Sequence, residues 1–261
     1  MRALQIAATG MSAQQMRVEV ISNNLANMST TGYNARRAEF ADLQYQQLSR
    51  PGAISASDGT MIPTGVQMGL GVRPAAVSVS IAQGSLSNTG GDLDLAIEGA
   101  GYLEVTLPSG VSGYTRDGSL KRSAEGVIVT SDGHEVLPGI TIPADARSLA
   151  INASGEVYAY FNTRPDPVLL GQFTLATFPN EKGLEATGSN LFLETSASGA
   201  PTVSVPGQNG AGTLRQGYLE DSSVDPVREI TELIEAQRGY ELNAKVITAA
   251  DQMLGATTQI R

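Results

Sequence analysis

The chain has 261 residues, 41% of them hydrophobic and 16% charged, with a net charge of −9, one histidine, no cysteine and no tryptophan. Those figures exclude disulfides, a thiolate metal site and a cysteine nucleophile, and they argue against a nucleic-acid binder, which needs a basic surface to neutralise phosphates. Few charges, few aromatics and 29 glycines fit turn-rich β structure or a subunit of an assembly better than a compact enzyme.

The first predicted element is a helix. Leu4, Ala7, Met11, Gln14, Val18, Ile21, Leu25 and Met28 recur at spacings of three and four, and only Gln14 in that line is polar. Gly10 costs this helix about 1 kcal/mol against alanine, so it needs a partner. Asn23, Asn24 and Asn27 cluster near its end, either as a polar face or as a hydrogen-bonding patch that fixes how the helix docks. The helix should stop near Ala26 to Met28, followed by Ser29–Gly32 with Gly32 in the left-handed region. Polar Gln5, Thr9, Ser12, Gln14 and Gln15 interrupt any signal-like apolar run, so the reading is no cleavable signal. No run anywhere approaches the roughly 20 apolar residues that span a bilayer, which predicts no membrane insertion.

Residues 35–47 read as a short helix or a strand, and Leu48 to Pro74, rich in Gly, Ser and Pro, as a long extended connection. From Ala75 the period becomes two: Val77, Val79 and Ile81, then Leu93, Leu95 and Ile97, then Leu103, Val105 and Leu107 alternate with smaller or polar residues, as in half-buried strands. Turn signals recur at Pro108–Gly110, Arg116–Gly118, Ser131–Gly133, Ala153–Gly155 and Ala197–Gly199, which predicts hairpins. After Gly217 the helical period returns through Ile230, Leu233, Gln237, Tyr240, Ala244, Ile247, Asp251 and Leu254, with Asp225 and Pro226 as start signals and an end near Thr257.

The expected fold is therefore α+β, mainly β. Terminal helices (1–33 with 225–261) pair as an α-helical coiled-coil domain, segments 34–76 and 206–224 form an extended linker, and 77–205 form a β-rich domain. Charge favours the pairing: residues 1–40 carry Arg2, Arg17, Arg36 and Arg37 against two glutamates, whereas 220–261 carry eight acids against four bases. Two imperfect helices bury little alone, so several copies side by side are expected to complete them. The expected polymerisation interface is Leu4, Met11, Val18, Ile21, Asn23, Asn24, Leu25 and Asn27 with Ile230, Leu233, Tyr240, Ile247 and Leu254.

Nothing reads as chemistry. Asp92 and Asp94 read as a solvated strand face, His134 as a surface turn, and the glycine pairs Gly69/Gly71 and Gly99/Gly101 lack the third glycine and helix of a phosphate cradle. No catalytic residue, cofactor or metal is expected.

Five ordered motifs carry a resemblance: SNNLANMSTTGY over 22–33, LSNTGGDLDLAIEGAGY over 86–102, YTRDGSL over 114–120, FPNEKGL over 178–184, and GYLEDSSV with EITELIEAQRGYELNAKVITAADQML over 217–254. Together they resemble the bacterial flagellar rod and hook proteins along essentially the whole chain, and the length and the segment 50–74 are most similar to the distal-rod members, with a proximal-rod subunit of similar length the nearest alternative and a fibre or adhesin module the alternative of another class. The resemblance implies a non-enzymatic axial subunit, exported unfolded through the flagellar type III apparatus and assembled with itself into a helical tube across the periplasm. It implies proximal-rod and hook subunits and the surrounding periplasmic and outer-membrane ring proteins as neighbours, terminal helices as the inner tube, and a β outer layer. The segment 48–74 is expected to brace neighbouring subunits.

Overall fold

In a computed structural model of the chain, residues 2–49, 64–162, 164 and 166–259 are described. The chain divides into two compact units. Unit 1 takes residues 1–25, 36–78 and 226–261, and unit 2 takes 26–35 and 79–225.

Unit 1 holds the two helices, α1 (Arg2–Ala26) and α2 (Pro226–Gln259), and four strands, β1 (Arg36–Asp42), β2 (Tyr45–Ser49), β3 (Val66–Gly69) and β4 (Val72–Val79). The 35–47 stretch, open between helix and strand in the sequence, is strand: β1 pairs with β4 and β2 with β3, in separate two-stranded ladders. The segment 48–74 divides. Its C-terminal part belongs to β3 and β4, and residues 50–63 lie outside the described residues. The start of α2 at Pro226 follows from a proline whose missing N–H costs nothing at the first helical position.

Unit 2 is built of short strands: β5 (Leu86–Asn88), β6 (Leu95–Glu98), β7 (Tyr102–Thr106), β8 (Ser112–Thr115), β9 (Lys121–Arg122), β10 (Ile128–Val129), β11 (Glu135–Val136), β12 (Ala146–Ile151), β13 (Glu156–Phe161) and β14 (Val168–Gln172). They continue as β15 (Leu175–Thr177), β16 (Glu185–Gly188), β17 (Leu191–Leu193), β18 (Thr202–Ser204), β19 (Thr213–Gln216) and β20 (Tyr218–Glu220). The largest sheet runs β16-β17-β8-β7-β11-β10-β9. β7 is its hinge: one edge pairs with β8, and the other is shared, Thr106 and Val105 against β11, Leu103 and Tyr102 against β15. β12, β13 and β14 form a three-stranded antiparallel sheet. The segment 206–224, expected as a connector, instead supplies β19 against β6 and β20 against β5.

One core, including Leu95, Ile97, Leu103, Val105, Ile128, Val157, Phe173 and Leu175, lies under these sheets. The alternation at 93–97 predicts a strand with one open face, yet Leu95, Ala96 and Ile97 are all buried. Ala96 stands at the position an exposed strand gives to a polar residue, and its small side chain lets a second layer close over it.

A second, aromatic cluster joins Tyr102, Tyr114 and Phe178. Phe178 meets Tyr114 edge-on at 4.8 Å and Tyr102 at 5.9 Å between ring centroids. Burial, then the Glu104 and Glu194 charges, push the Tyr114 phenol from 10.0 up to about 12. Burial first, and Glu181 second, raise Tyr102 as well. Below pH 10 the phenols are neutral in the folded and the unfolded chain alike. Above it the unfolded chain releases protons that the folded chain still holds, so stability falls as pH rises from 10.0 towards about 12. Denaturant midpoints should therefore decline across that window, and Tyr114→Phe should flatten the decline; the same slope in Tyr114→Phe as in the parent would exclude this tyrosine as a source.

Candidate assembly interface

The helices of unit 1 meet through small and polar residues. A Cβ on Gly10 would lie 2.9 Å from Asn243 Nδ2, and one on Gly239 would lie 3.1 Å from Gln14 Cδ. Arg17 reaches Glu232 at 3.4 Å and Glu235 at 3.6 Å. Burial opposes ionisation of Glu232, but hydrogen bonds from Arg228 and Arg17 outweigh it and hold the carboxyl below its ordinary range. Successively later residues of α1 meet successively earlier residues of α2, so the contact is antiparallel. It includes the opposite charges that the sequence assigns to the two ends.

Asn24 is the buried polar anchor of α1, 1% exposed. Its Nδ2 donates to the Arg36 carbonyl at 2.8 Å and to Glu229 Oε1 at 3.2 Å, and its Oδ1 accepts from the Arg36 N–H at 2.9 Å. Of the two sequence readings of the asparagine cluster, Asn24 follows the hydrogen-bonding one. Asn23 is exposed, and Asn27 is half-buried with its Oδ1 accepting from Thr30 Oγ1. Asn24→Ala removes the partners of both Arg36 backbone groups, and about 2 kcal/mol of stability should go with them. Urea unfolding followed by circular dichroism reads this directly; an unshifted midpoint would show that water replaces the amide at no cost.

The remaining expected interface residues sort by face. In α1, Ile21 is buried, while Leu4, Met11, Val18 and Leu25 are half-buried. In α2, Leu233 and Ile247 are half-buried, and Ile230, Tyr240 and Leu254 are exposed. The line of contact on α2 runs through Glu229, Glu232, Ala236, Gly239, Asn243 and Ala250, largely one residue before the expected seam. One residue is a rotation of about 100°. That rotation leaves Ile230 (45%), Ile234 (46%), Leu242 (62%) and Val246 (48%) exposed, and with Arg238 they form a ridge of every fourth residue. Arg238 divides the ridge into two exposed apolar pairs, Ile230 with Ile234 and Leu242 with Val246.

In unit 2 the sequence motifs converge. Arg116 of YTRDGSL forms a buried ion pair with Glu220 of GYLE, Nη2 to Oε2 at 2.9 Å. Its guanidinium also donates to the carbonyls of Gly99 and Gly101, in the 86–102 motif, at 3.1 and 3.2 Å. The Tyr102 hydroxyl donates to Glu181 of FPNEKGL at 3.3 Å. Gly32 of the first motif sits at φ +65 with its Cα against the Arg116–Asp117 peptide, where a Cβ would lie 3.1 Å from the Arg116 carbonyl, and its N–H donates to the Glu220 carbonyl at 2.8 Å. The positive φ expected of Gly32 is present; it serves a tight turn from Thr30 to Tyr33, six residues beyond the end of α1.

Known families match in the same places. Residues 4–34 match the flagella basal body rod protein family, 96–159 the flagellar hook protein FlgE/F/G D1 domain, and 215–260 the flagellar basal body rod FlgEFG protein C-terminal family. The flagellar basal-body rod protein FlgG of Caulobacter vibrioides is 54% identical over 261 residues, with all of both chains covered. The chain belongs to the FlgG family of flagellar basal-body rod proteins. The FlgG of Agrobacterium fabrum is 49% identical with 97% of each chain covered, and that of Buchnera aphidicola (Acyrthosiphon pisum) 44% identical with 98% covered. As a member of the FlgG family it is a structural component of the bacterial flagellar basal body, where it forms part of the rod. Among its described residues no helix is long and apolar enough to cross a membrane.

Proposed function

We propose that this FlgG-family chain is the distal-rod subunit, and that it polymerises with itself into a helical tube that passes torque from the motor to the hook. The observation that carries this reading is the apolar ridge of α2, exposed beside a helix–helix contact that already uses the small residues of both helices. Covering such a face removes apolar area from water, and identical copies related by a non-closing rotation would cover it repeatedly. On this reading the terminal helices pair as a coiled-coil domain and line the inside of the tube, with Leu4, Met11, Val18, Leu25, Ile230, Tyr240 and Leu254 completed by neighbouring copies. Unit 2 forms the outer layer. Proximal-rod and hook subunits meet its two ends, ring proteins surround it, the flagellar export apparatus delivers it, and catalysis has no part in the role.

Sedimentation over a range of concentrations, with electron microscopy of the product, tests the reading. Tubes of helical symmetry are expected. Discrete closed trimers at every concentration would overturn it in favour of a fibre-type module.

A further inference from the structure

Unit 2 contains one fully buried ion pair, among the described residues, and it joins positions 116 and 220 with side chains 7% and 2% exposed. A lone guanidinium at that depth is strongly unfavourable, so Arg116 is tolerated there only when Glu220 arrives. Glu220 is itself spoken for: its Oε2 takes Arg116 Nε at 3.0 Å and its Oε1 takes the Gly84 N–H at 3.0 Å. Around this pair lie the three stretches of unit 2 that adjoin unit 1 in sequence. The Ser223 N–H donates to the Tyr33 carbonyl at 3.0 Å, the Ser80 N–H to the Ala35 carbonyl at 2.8 Å, and the Ala35 N–H to Ser223 Oγ at 2.9 Å. The Asp221 N–H donates to the Ser85 carbonyl, and the Gly32 N–H to that of Glu220, both at 2.8 Å.

We propose that the Arg116–Glu220 pair is a clasp: it gathers residues 31–35, 79–85 and 220–223 into one knot, and unit 2 closes only when β20 delivers its carboxylate. The pair then acts as a positioning device for the backbone and as a check on complete folding, since a chain lacking its late segment leaves Arg116 buried without a counter-charge. Both side chains are buried within unit 2, so the motifs that hold them encode this closure.

The test uses the full chain, with amide hydrogen exchange read at Gly32, Ala35, Ser80, Gly84, Asp221 and Ser223. Glu220→Gln and Arg116→Met should each speed exchange at these amides on the order of 100-fold, and should speed it also in the body of unit 2, because each leaves a buried group unmatched. The double variant Arg116→Met/Glu220→Met removes both charges and should recover most of the protection in the body of unit 2, at Val105, Val157 and Leu175. It should not recover it at Gly84, whose N–H has lost its acceptor. Parent-like exchange at the knot in either single variant overturns the clasp. So does a double variant as labile in the body of unit 2 as the worse single one, since the damage would then be lost packing and not an unmatched charge. A single variant that fails to fold while the double one folds is the strongest form of the expected result.

Discussion

Ile234→Asp, and equally Ile230→Asp, is expected to abolish rod assembly while leaving unit 2 as stable as in the parent. Both side chains lie on the exposed ridge of α2, 46% and 45% accessible, so a carboxylate there is solvated in the separate chain and costs little. In an assembled tube the same carboxylate would be buried against an apolar neighbour, at a cost of several kcal/mol unless it finds a partner. The cost recurs at every subunit, so a polymer amplifies it where a single contact would not. Electron microscopy should find no tubes at concentrations where the parent forms them, and cells carrying either variant as their sole copy should not swim. Tubes of normal length from Ile234→Asp would remove this ridge from the interface.

The second large effect is on stability. Phe173 is fully buried and is the largest side chain of the unit 2 core. Phe173→Ala should cost about 3–5 kcal/mol, as loss of a buried ring and the cavity left behind together dictate. For a unit of this size that lowers the melting temperature by about 10 °C. Leu169→Ala, at an exposed position of neighbouring β14, should stay within about 0.5 kcal/mol of the parent. Equal effects from the two would mean that the core is not packed as described.

The helices were legible in the sequence because both carry long runs at three and four with stop or start signals, and their ends fall at Ala26 and Pro226 close to expectation. Their contact was not. A search for large apolar side chains finds the line of Ile230, Tyr240 and Leu254, but helices that approach closely do so on Gly and Ala, and the large residues are turned away from the contact. Ala236, Gly239 and Ala250 were the signal, and counting hydrophobicity passes over them. The strands of unit 2 were legible from alternation and turn residues, although Ala96 shows how a small residue disguises two-sided burial as one-sided. The Arg116–Glu220 pair could not be read from local pattern at all. More than a hundred positions separate its members, and each looks like an ordinary surface charge; only the resemblance of their motifs marked them. Asp92 and Asp94, read from the sequence as one solvated strand face, do not share a face: Asp92 is exposed in a turn, and Asp94 is half-buried at an isolated bridge to Ser119, where it accepts from the Thr89 hydroxyl.

The contacts of Gly10 with Asn243 and of Gly239 with Gln14 have a mechanical consequence. Each glycine is a notch holding an amide side chain of the opposite helix, and the two notches are reciprocal and one turn apart. Sliding one helix along the other by a turn, about 5.4 Å, brings Gln14 against Asn243 in one direction, two amides in space for one. In the other direction Gly10 faces Gly239 across an empty gap. Both displacements are uphill, so the pair resists axial slip in either direction, and in the proposed tube such pairs would pass rotation along its length without their helices creeping past one another.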